Sequence, residues 1–425
     1  MTTLRRLVFA VMCVACATPL FAQAATPAQD PSAPPSPTNP KPVNVRWEDG
    51  LIFETPDTNY RLQIGSLVRF DGRFVPDDPQ HLFNDTFTMR FARLVVQAKI
   101  AKYFTVRIIP DFVGSGGGIP NMSEAFMDVA FSPKLHVRVG RDRSPFSYEV
   151  MLQDPNVLFL ERSLPVNLAP NRDIGAQVLG DLAGGALNYQ VGVFNGVVDG
   201  TSSTNLDTDS AKDVEGRLVV KPFMHASPEL QNLGFAVGAT RGTQVGTGLP
   251  TFRTSAQQAY FSYDSAANAN GTHARFSPQV FYNYRRFATY AEYARSTQTI
   301  TKKGVTDDVT TDAWGAAVQW MLTGEAAGER VRPRKVFDPE KGTWGALALV
   351  ARYGGLTVGD SAFTNAFAAA GSSQHVNVAT VGAIWVLTPN VKVLFDGEHS
   401  VFDHNNAGAR PSENAVLVRF QLNFF

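Results

Sequence analysis

The chain has 425 residues, with 38 lysines and arginines balanced by 38 aspartates and glutamates, and only two cysteines. That balance gives no argument for a nucleic-acid partner, and the length would suffice for two or three soluble domains. Beyond residue 24 no run of roughly 18 apolar residues offers a helical span, so any membrane crossing has to use strands.

Residues 1–24 read as a secretory signal peptide: Arg5 and Arg6, an apolar run from Leu7 to about Leu20, then Ala22-Gln23-Ala24. Cleavage after Ala24 removes Cys13 and Cys16 and leaves 36 basic against 38 acidic residues. The mature chain then has no thiol for a disulfide, a zinc-thiolate site or a nucleophile. A lipid-anchored Cys16 is the competing reading, opposed by Cys13 standing where a large aliphatic residue is expected. Residues 25–42 carry seven prolines and almost no large apolar side chain, as in a semi-rigid linker on the periplasmic side. Residues 43–59 form a lead-in, and 60–425 carry the alternation of a barrel.

In the first strand Tyr60, Leu62, Ile64, Val68, Phe70 and Phe74 share one face, and Arg61, Gln63, Arg69, Asp71 and Arg73 the other. A second strand is predicted over 90–100 and a third over 103–112. Further strands follow near 124–131, 135–141, 173–180, 186–195, 213–221, 233–241, 273–284, 287–298, 311–322, 345–354, 376–387, 391–401 and 415–425. The last has Val416, Val418, Phe420, Leu422 and Phe424 on an apolar face and Arg419, Gln421 and Asn423 on a polar one. Phe420, Leu422, Phe424 and Phe425 are therefore read as closing the sheet against the first strand. Sixteen antiparallel segments with one apolar face each, alternating short turns and long loops, predict an all-β transmembrane barrel of the bacterial outer membrane. Thr323 to Thr343 is long where a short turn is expected.

The inward faces carry the basic residues Arg61, Arg69, Arg73, Arg93, Lys99, Arg107, Arg138, Arg217, Lys221, Arg275, Arg352, Lys392 and Arg419. The inward acids are Asp71, Asp111, Glu124, Asp128, Asp213, Glu215, Glu292, Asp396 and Glu398. The modest basic excess predicts a mild preference for anions.

Several stretches resemble the phosphate-selective porin family, the porins O and P. They include Trp320-Met321-Leu322-Thr323-Gly324-Glu325, Val139-Gly140-Arg141, Phe159-Leu160-Glu161-Arg162-Ser163-Leu164-Pro165, Arg172-Asp173-Ile174-Gly175 and Val381-Gly382-Ala383-Ile384-Trp385. The resemblance implies a sixteen-stranded trimeric channel whose third long loop, 143–172 here, folds into the lumen. It nominates Arg90, Arg93, Arg141, Arg143, Glu149, Val150, Glu161, Arg162 and Arg172 as lining or bracing a constriction that selects anions. Departures weaken the phosphate-specific reading. Val150 stands where the family's central lysine follows a Phe-Gly-Leu-Glu-like stretch, Gly65-Ser66-Leu67 lacks a ladder arginine, and Ser123 replaces an acidic residue.

The expectation is a passive porin for small hydrophilic solutes with a mild anion preference, inorganic phosphate and polyphosphate among them. A high-affinity phosphate channel is the first alternative. A barrel lipase or protease is disfavoured, because Gly-x-Ser-x-Gly, His-Glu-x-x-His and Gly-Lys are all absent, and no cofactor or metal motif is present. Implied partners are outer-membrane lipid and lipopolysaccharide, the barrel-assembly machinery and two further copies of the chain.

Overall fold

The computed structural model describes residues 42–76, 84–113, 121–205, 207, 210–246, 248–405 and 408–425. The expected signal peptide and all but the last residue of the proline-rich linker lie outside them. Val43 to Phe425 form one compact unit.

Its wall is sixteen antiparallel strands: β1 Arg61–Phe74, β2 Thr86–Ile100, β3 Phe104–Asp111, β4 Asn121–Ser132, β5 Leu135–Arg143, β6 Arg172–Leu182, β7 Leu187–Phe194, β8 Asp213–Val220, β9 Gly234–Gly246, β10 Asn268–Tyr284, β11 Phe287–Lys302, β12 Val305–Met321, β13 Ala346–Val358, β14 His375–Thr388, β15 Val391–Phe402 and β16 Glu413–Phe424. Each pairs with its sequence neighbour, and β16 closes on β1 from Val416↔Phe74 to Phe424↔Ser66. Closure leaves no unpaired edge, which is the condition for strands to exist in hydrocarbon. On β16 Phe420 is 57% exposed whereas Arg419 is fully buried, so the apolar face looks outward and the polar face into the barrel.

Phe425, expected to help close the sheet, lies beyond the last ladder pair. With Gln63, Gln97 and Arg107 it lines a small interior cavity, and the Arg107 guanidinium is 5.8 Å from its ring centroid. The residue two places earlier on the polar face, Asn423, lines the same cavity, so one further step of the alternation turns Phe425 inward.

Two segments differ from the sequence reading. The segment 299–310 is not a long loop: β11 and β12 run on to a two-residue hairpin at Lys303 (φ 49°) and Gly304 (φ 85°). Thr, Asp and Lys dominate toward its tip, where residues 303–308 are all exposed and the apolar alternation is lost, while Ile300 and Val309 below it are buried. The lead-in is a hairpin, Asn44–Trp47 with Leu51–Glu54, whose second strand pairs with β1 from Leu51↔Ile64 to Glu54↔Arg61. It extends the wall where β16 stops, and Trp47 packs on Phe424 with centroids 5.2 Å apart. Gly50, at φ 117°, turns this hairpin, and a Cβ there would come within 2.7 Å of the Ile64 carbonyl oxygen.

The long connection between β12 and β13 spreads across the short-turn end. Ala327 N–H donates to the Arg285 carbonyl at 2.7 Å, Gly328 N–H to Gln319 Oε1 at 3.0 Å, and Phe337 N–H to the Leu387 carbonyl at 2.7 Å. Arg330 and Arg332 reach Asp49 of the N-terminal hairpin at 2.6 and 3.3 Å. Its start, Leu322-Thr323-Gly324-Glu325, is a self-braced turn: Glu325 accepts from the Thr323 hydroxyl and, at 3.2 Å, from the Arg334 N–H.

Candidate functional site

The segment between β5 and β6 carries Arg162 and the acids Glu149, Asp154 and Glu161, which meet charged and polar side chains of the strands. Ser147 caps a single helical turn, Tyr148–Met151, and Pro155 and Pro165 open short 3₁₀ turns at Asp154–Asn156 and Leu164–Leu168. Irregular backbone of this kind leaves peptide groups without regular partners, and they find side chains of the wall instead. Gln279 Nε2 donates to the Phe146 carbonyl at 2.6 Å, Gln421 Nε2 to the Pro155 carbonyl at 3.1 Å, and Arg352 Nη1 to the Glu161 carbonyl at 2.8 Å. The Leu160 N–H donates to Asp396 at 2.7 Å, the Arg419 guanidinium to the Leu160 carbonyl at 2.5 Å, and the Ser144 hydroxyl to Glu215. These partners stand on β8, β10, β13, β15 and β16, and β8 and β16 are half a ring apart.

Three carboxylates organise the arginines. Asp154 takes Arg162 at 2.5 Å, Arg172 at 2.6 Å and Arg143 at 3.9 Å, and also accepts from Arg93; its carbonyl accepts from Arg69. Glu161 takes Arg73 at 2.5 Å, Arg90 at 3.0 Å and Arg419 at 3.9 Å. Glu124 takes Arg143 at 2.7 Å, Arg107 at 3.3 Å and Arg172 at 3.6 Å. Burial alone would raise the pKa of Asp154, but Arg172, Arg162, Arg93 and Arg143 outweigh it and hold the carboxyl well below the usual range. Glu161 behaves alike: burial raises it, and Arg90, Arg73 and Arg419 bring it below the usual range.

Local backbone geometry explains how Arg90 joins this group. Arg69 pairs with Phe91 and Phe70 with Met89, so Arg90 is the extra residue of a β-bulge, which re-aims a side chain. Arg93 and Arg90 flank the Phe91 ring, their guanidinium carbons 3.5 and 4.9 Å from its centroid.

Of the residues nominated from the sequence, Arg90, Arg93, Arg143, Glu161, Arg162 and Arg172 come together in these ion-pair networks. Glu149 lies beside them, accepting from the Ser163 N–H at 2.6 Å and the Tyr290 hydroxyl at 2.6 Å, while Arg162 donates to its carbonyl at 2.9 Å. Arg141 stands apart, its guanidinium donating to the Ser203 carbonyl. Val150 is not presented to open space at all: it is fully buried among Phe146, Leu164 and Ala294. One turn of helix places Tyr148 and Glu149 toward the wall aromatics and hydroxyls and leaves Val150 facing the apolar cluster.

The wall arginines are mostly compensated as well. Arg419 is held by Asp71 at 2.7 Å, Arg138 by Asp142 at 2.6 Å and Asp128 at 3.1 Å, Arg275 by Asp199 at 2.6 Å, and Arg352 by Glu398 at 3.4 Å. Arg217 instead donates to Gln279 at 2.9 and 3.0 Å, and Arg61 to Gln63 at 3.1 Å. Among the described residues, Arg61, Arg69 and Arg217 have no carboxylate at ion-pair distance. Asp154, which holds the centre of the network, was not singled out from the sequence. The available signal was a lone acid in a loop between candidate arginines, since buried guanidinium groups demand a counter-charge.

Above the Glu161 pairs an open cavity of about 460 Å³ is lined by the loop and by the connections between β7 and β8 and between β9 and β10. No described helix is long and apolar enough to cross a membrane.

Comparisons with known proteins agree with this architecture. The outer membrane channel DcaP of Acinetobacter baumannii superposes with a TM-score of 0.55 at 12% identity, covering 88% of this chain and 99% of that one. The in-vitro folded OmpT of Vibrio cholerae in its trimer form gives 0.54 at 11%, covering 86% and 99%. The Salmonella typhi OmpF complex with daunomycin gives 0.54 at 12%, covering 87% and 100%. At such identities the likeness shows the fold alone. No curated protein sequence matches the chain. Residues 62–424 match the sequence model of a single family, and with the closed barrel this identifies the chain as an outer-membrane porin channel belonging to the phosphate-selective porin O and P family.

Proposed function

We propose that this porin is a passive diffusion channel for small hydrophilic solutes with a mild preference for anions, and not a high-affinity phosphate channel. The observation that carries the reading is the compensation of the arginines: Asp154, Glu161 and Glu124 between them engage Arg73, Arg90, Arg93, Arg107, Arg143, Arg162 and Arg172. Capturing phosphate out of water needs several convergent cations free to replace its hydration. A guanidinium already bonded to a carboxylate contributes little net field to a passing ion.

In this reading the loop 144–171 is the constriction, a role supported by its bonds to strands half a ring apart, and Arg61, Arg69 and Arg217 supply the residual positive bias. The chain works as a homotrimer, in line with the trimer form of the Vibrio cholerae relative. It sits among outer-membrane lipid and lipopolysaccharide and reaches that membrane through a cleaved signal at 1–24 and the barrel-assembly machinery. The test is incorporation of the purified protein into planar bilayers. Stable conductance steps in chloride salts without any added substrate are expected, with anions favoured a few-fold. A closed bore, or a preference for cations, would overturn the proposal.

A further inference from the structure

The open cavity at the long-loop end is lined by guanidinium groups and apolar side chains set among polar ones. Most of the guanidinium groups are engaged. Arg90 is bound bidentately to Glu161, at 3.0 and 3.3 Å, Arg162 is held by Asp154, and Arg352 by Glu398. Arg253 is exposed and donates only to the Gln257 carbonyl, at 3.0 Å; among the described residues no carboxylate lies at ion-pair distance from it. Its apolar lining is Leu164 and Val166 from the loop, Leu249 and Pro250 from the β9–β10 connection, and Val378 from β14. Val166 and Leu249 are only partly buried against the cluster behind them.

A porin mouth that handled only hydrated inorganic ions would gain nothing from such an apolar lining. One available guanidinium cannot replace the water shell of phosphate, whose several oxygens each need a donor. It can meet a single carboxylate, while the apolar lining takes a hydrocarbon body out of water. The volume, about 460 Å³, lies within the range of small-molecule sites. We propose that this mouth is a recruitment site for organic monocarboxylates with an apolar body, the carboxylate meeting Arg253 and the hydrocarbon lying on Leu249, Val166 and Val378. The inference rests on the channel reading given above and adds its solute class.

The experiment uses the assembled protein in planar bilayers, with acetate, butyrate, hexanoate and inorganic phosphate each added on the long-loop side while chloride carries the current. Block is expected to strengthen along the acid series, by up to about fourfold per methylene, with phosphate no stronger than acetate. Arg253→Gln should weaken every acid by a similar factor, whereas Leu249→Asn should flatten the dependence on chain length. Acids that block equally whatever their length, or phosphate that blocks more strongly than hexanoate, would overturn the proposal and leave the channel intact. A length dependence unchanged by both variants would also overturn it, because it would report partition into the bilayer. Absence of chloride current would instead remove the channel reading itself, and the proposal with it.

Discussion

Replacing Asp154 by asparagine keeps the shape of the side chain and removes the one charge that Arg93, Arg143, Arg162 and Arg172 share. Two effects of different size should follow. Removing one partner from a buried ionic network costs on the order of 3–5 kcal/mol, so the barrel should unfold on heating at a lower temperature. The unmatched positive charge then acts on passing anions. At about 6 Å one charge attracts another by roughly 0.7 kcal/mol in water-like surroundings and roughly 2.8 kcal/mol at an effective dielectric of 20. Those limits correspond to an anion preference raised by about threefold to a hundredfold. The zero-current potential across a potassium chloride gradient reads this directly and should move toward the chloride equilibrium potential. It should fall back in Asp154→Asn/Arg162→Gln, which restores the local charge balance. An assembled Asp154→Asn channel with unchanged zero-current potential would refute the idea that compensation by Asp154 sets selectivity.

Val150→Lys, which would restore the family's lysine, should not create a phosphate site, because it forces an ammonium among Phe146, Leu164 and Ala294; reduced heat stability of the barrel is expected, and phosphate block in that variant would contradict the burial. Asp154 and Glu161 have folded pKa values depressed by their arginines, so their contribution to stability is complete above the ordinary carboxylate range near 4 and is lost only as pH falls below it. The ionised-carboxylate infrared bands that Asp154→Asn and Glu161→Gln each remove should therefore persist at pH 4 in the unmodified protein; protonation near pH 6 would contradict this. Asp49→Asn frees Arg330 and Arg332 of the β12–β13 turn, exposed ties worth about 0.2–1 kcal/mol each, and should increase current fluctuations without changing selectivity. Combining it with Arg330→Gln should add little, and additive effects of the two would deny the contact between them.

What the sequence made legible was whatever repeats with the period of a strand. Val416, Phe420 and Leu422 alternate with Arg419 and Gln421 because one face meets lipid and the other the interior, so strand number and closure could be read off. The method failed where that contrast vanishes. The tip of the β11–β12 hairpin, residues 303–308, is exposed throughout, and the N-terminal hairpin around Gly50 is too short for a period to show. The ion-pair networks were hidden for a different reason. Arg419 and Asp71 lie 348 positions apart, and Arg93 and Asp154 lie 61 apart, so which arginine is neutralised depends on how the loop meets the wall. Counting inward charges gave a basic excess, but counting cannot say which of those charges remain available. Val150 shows the same limit: its place in the family motif is plain in the sequence, and its burial is not.

The most direct test of the compensated-arginine account is a phosphate titration of the chloride current through single channels. The account requires the current to continue undiminished at micromolar phosphate, with anions favoured only a few-fold over cations. Block at micromolar phosphate would show that uncompensated cations converge in the bore, and would contradict it.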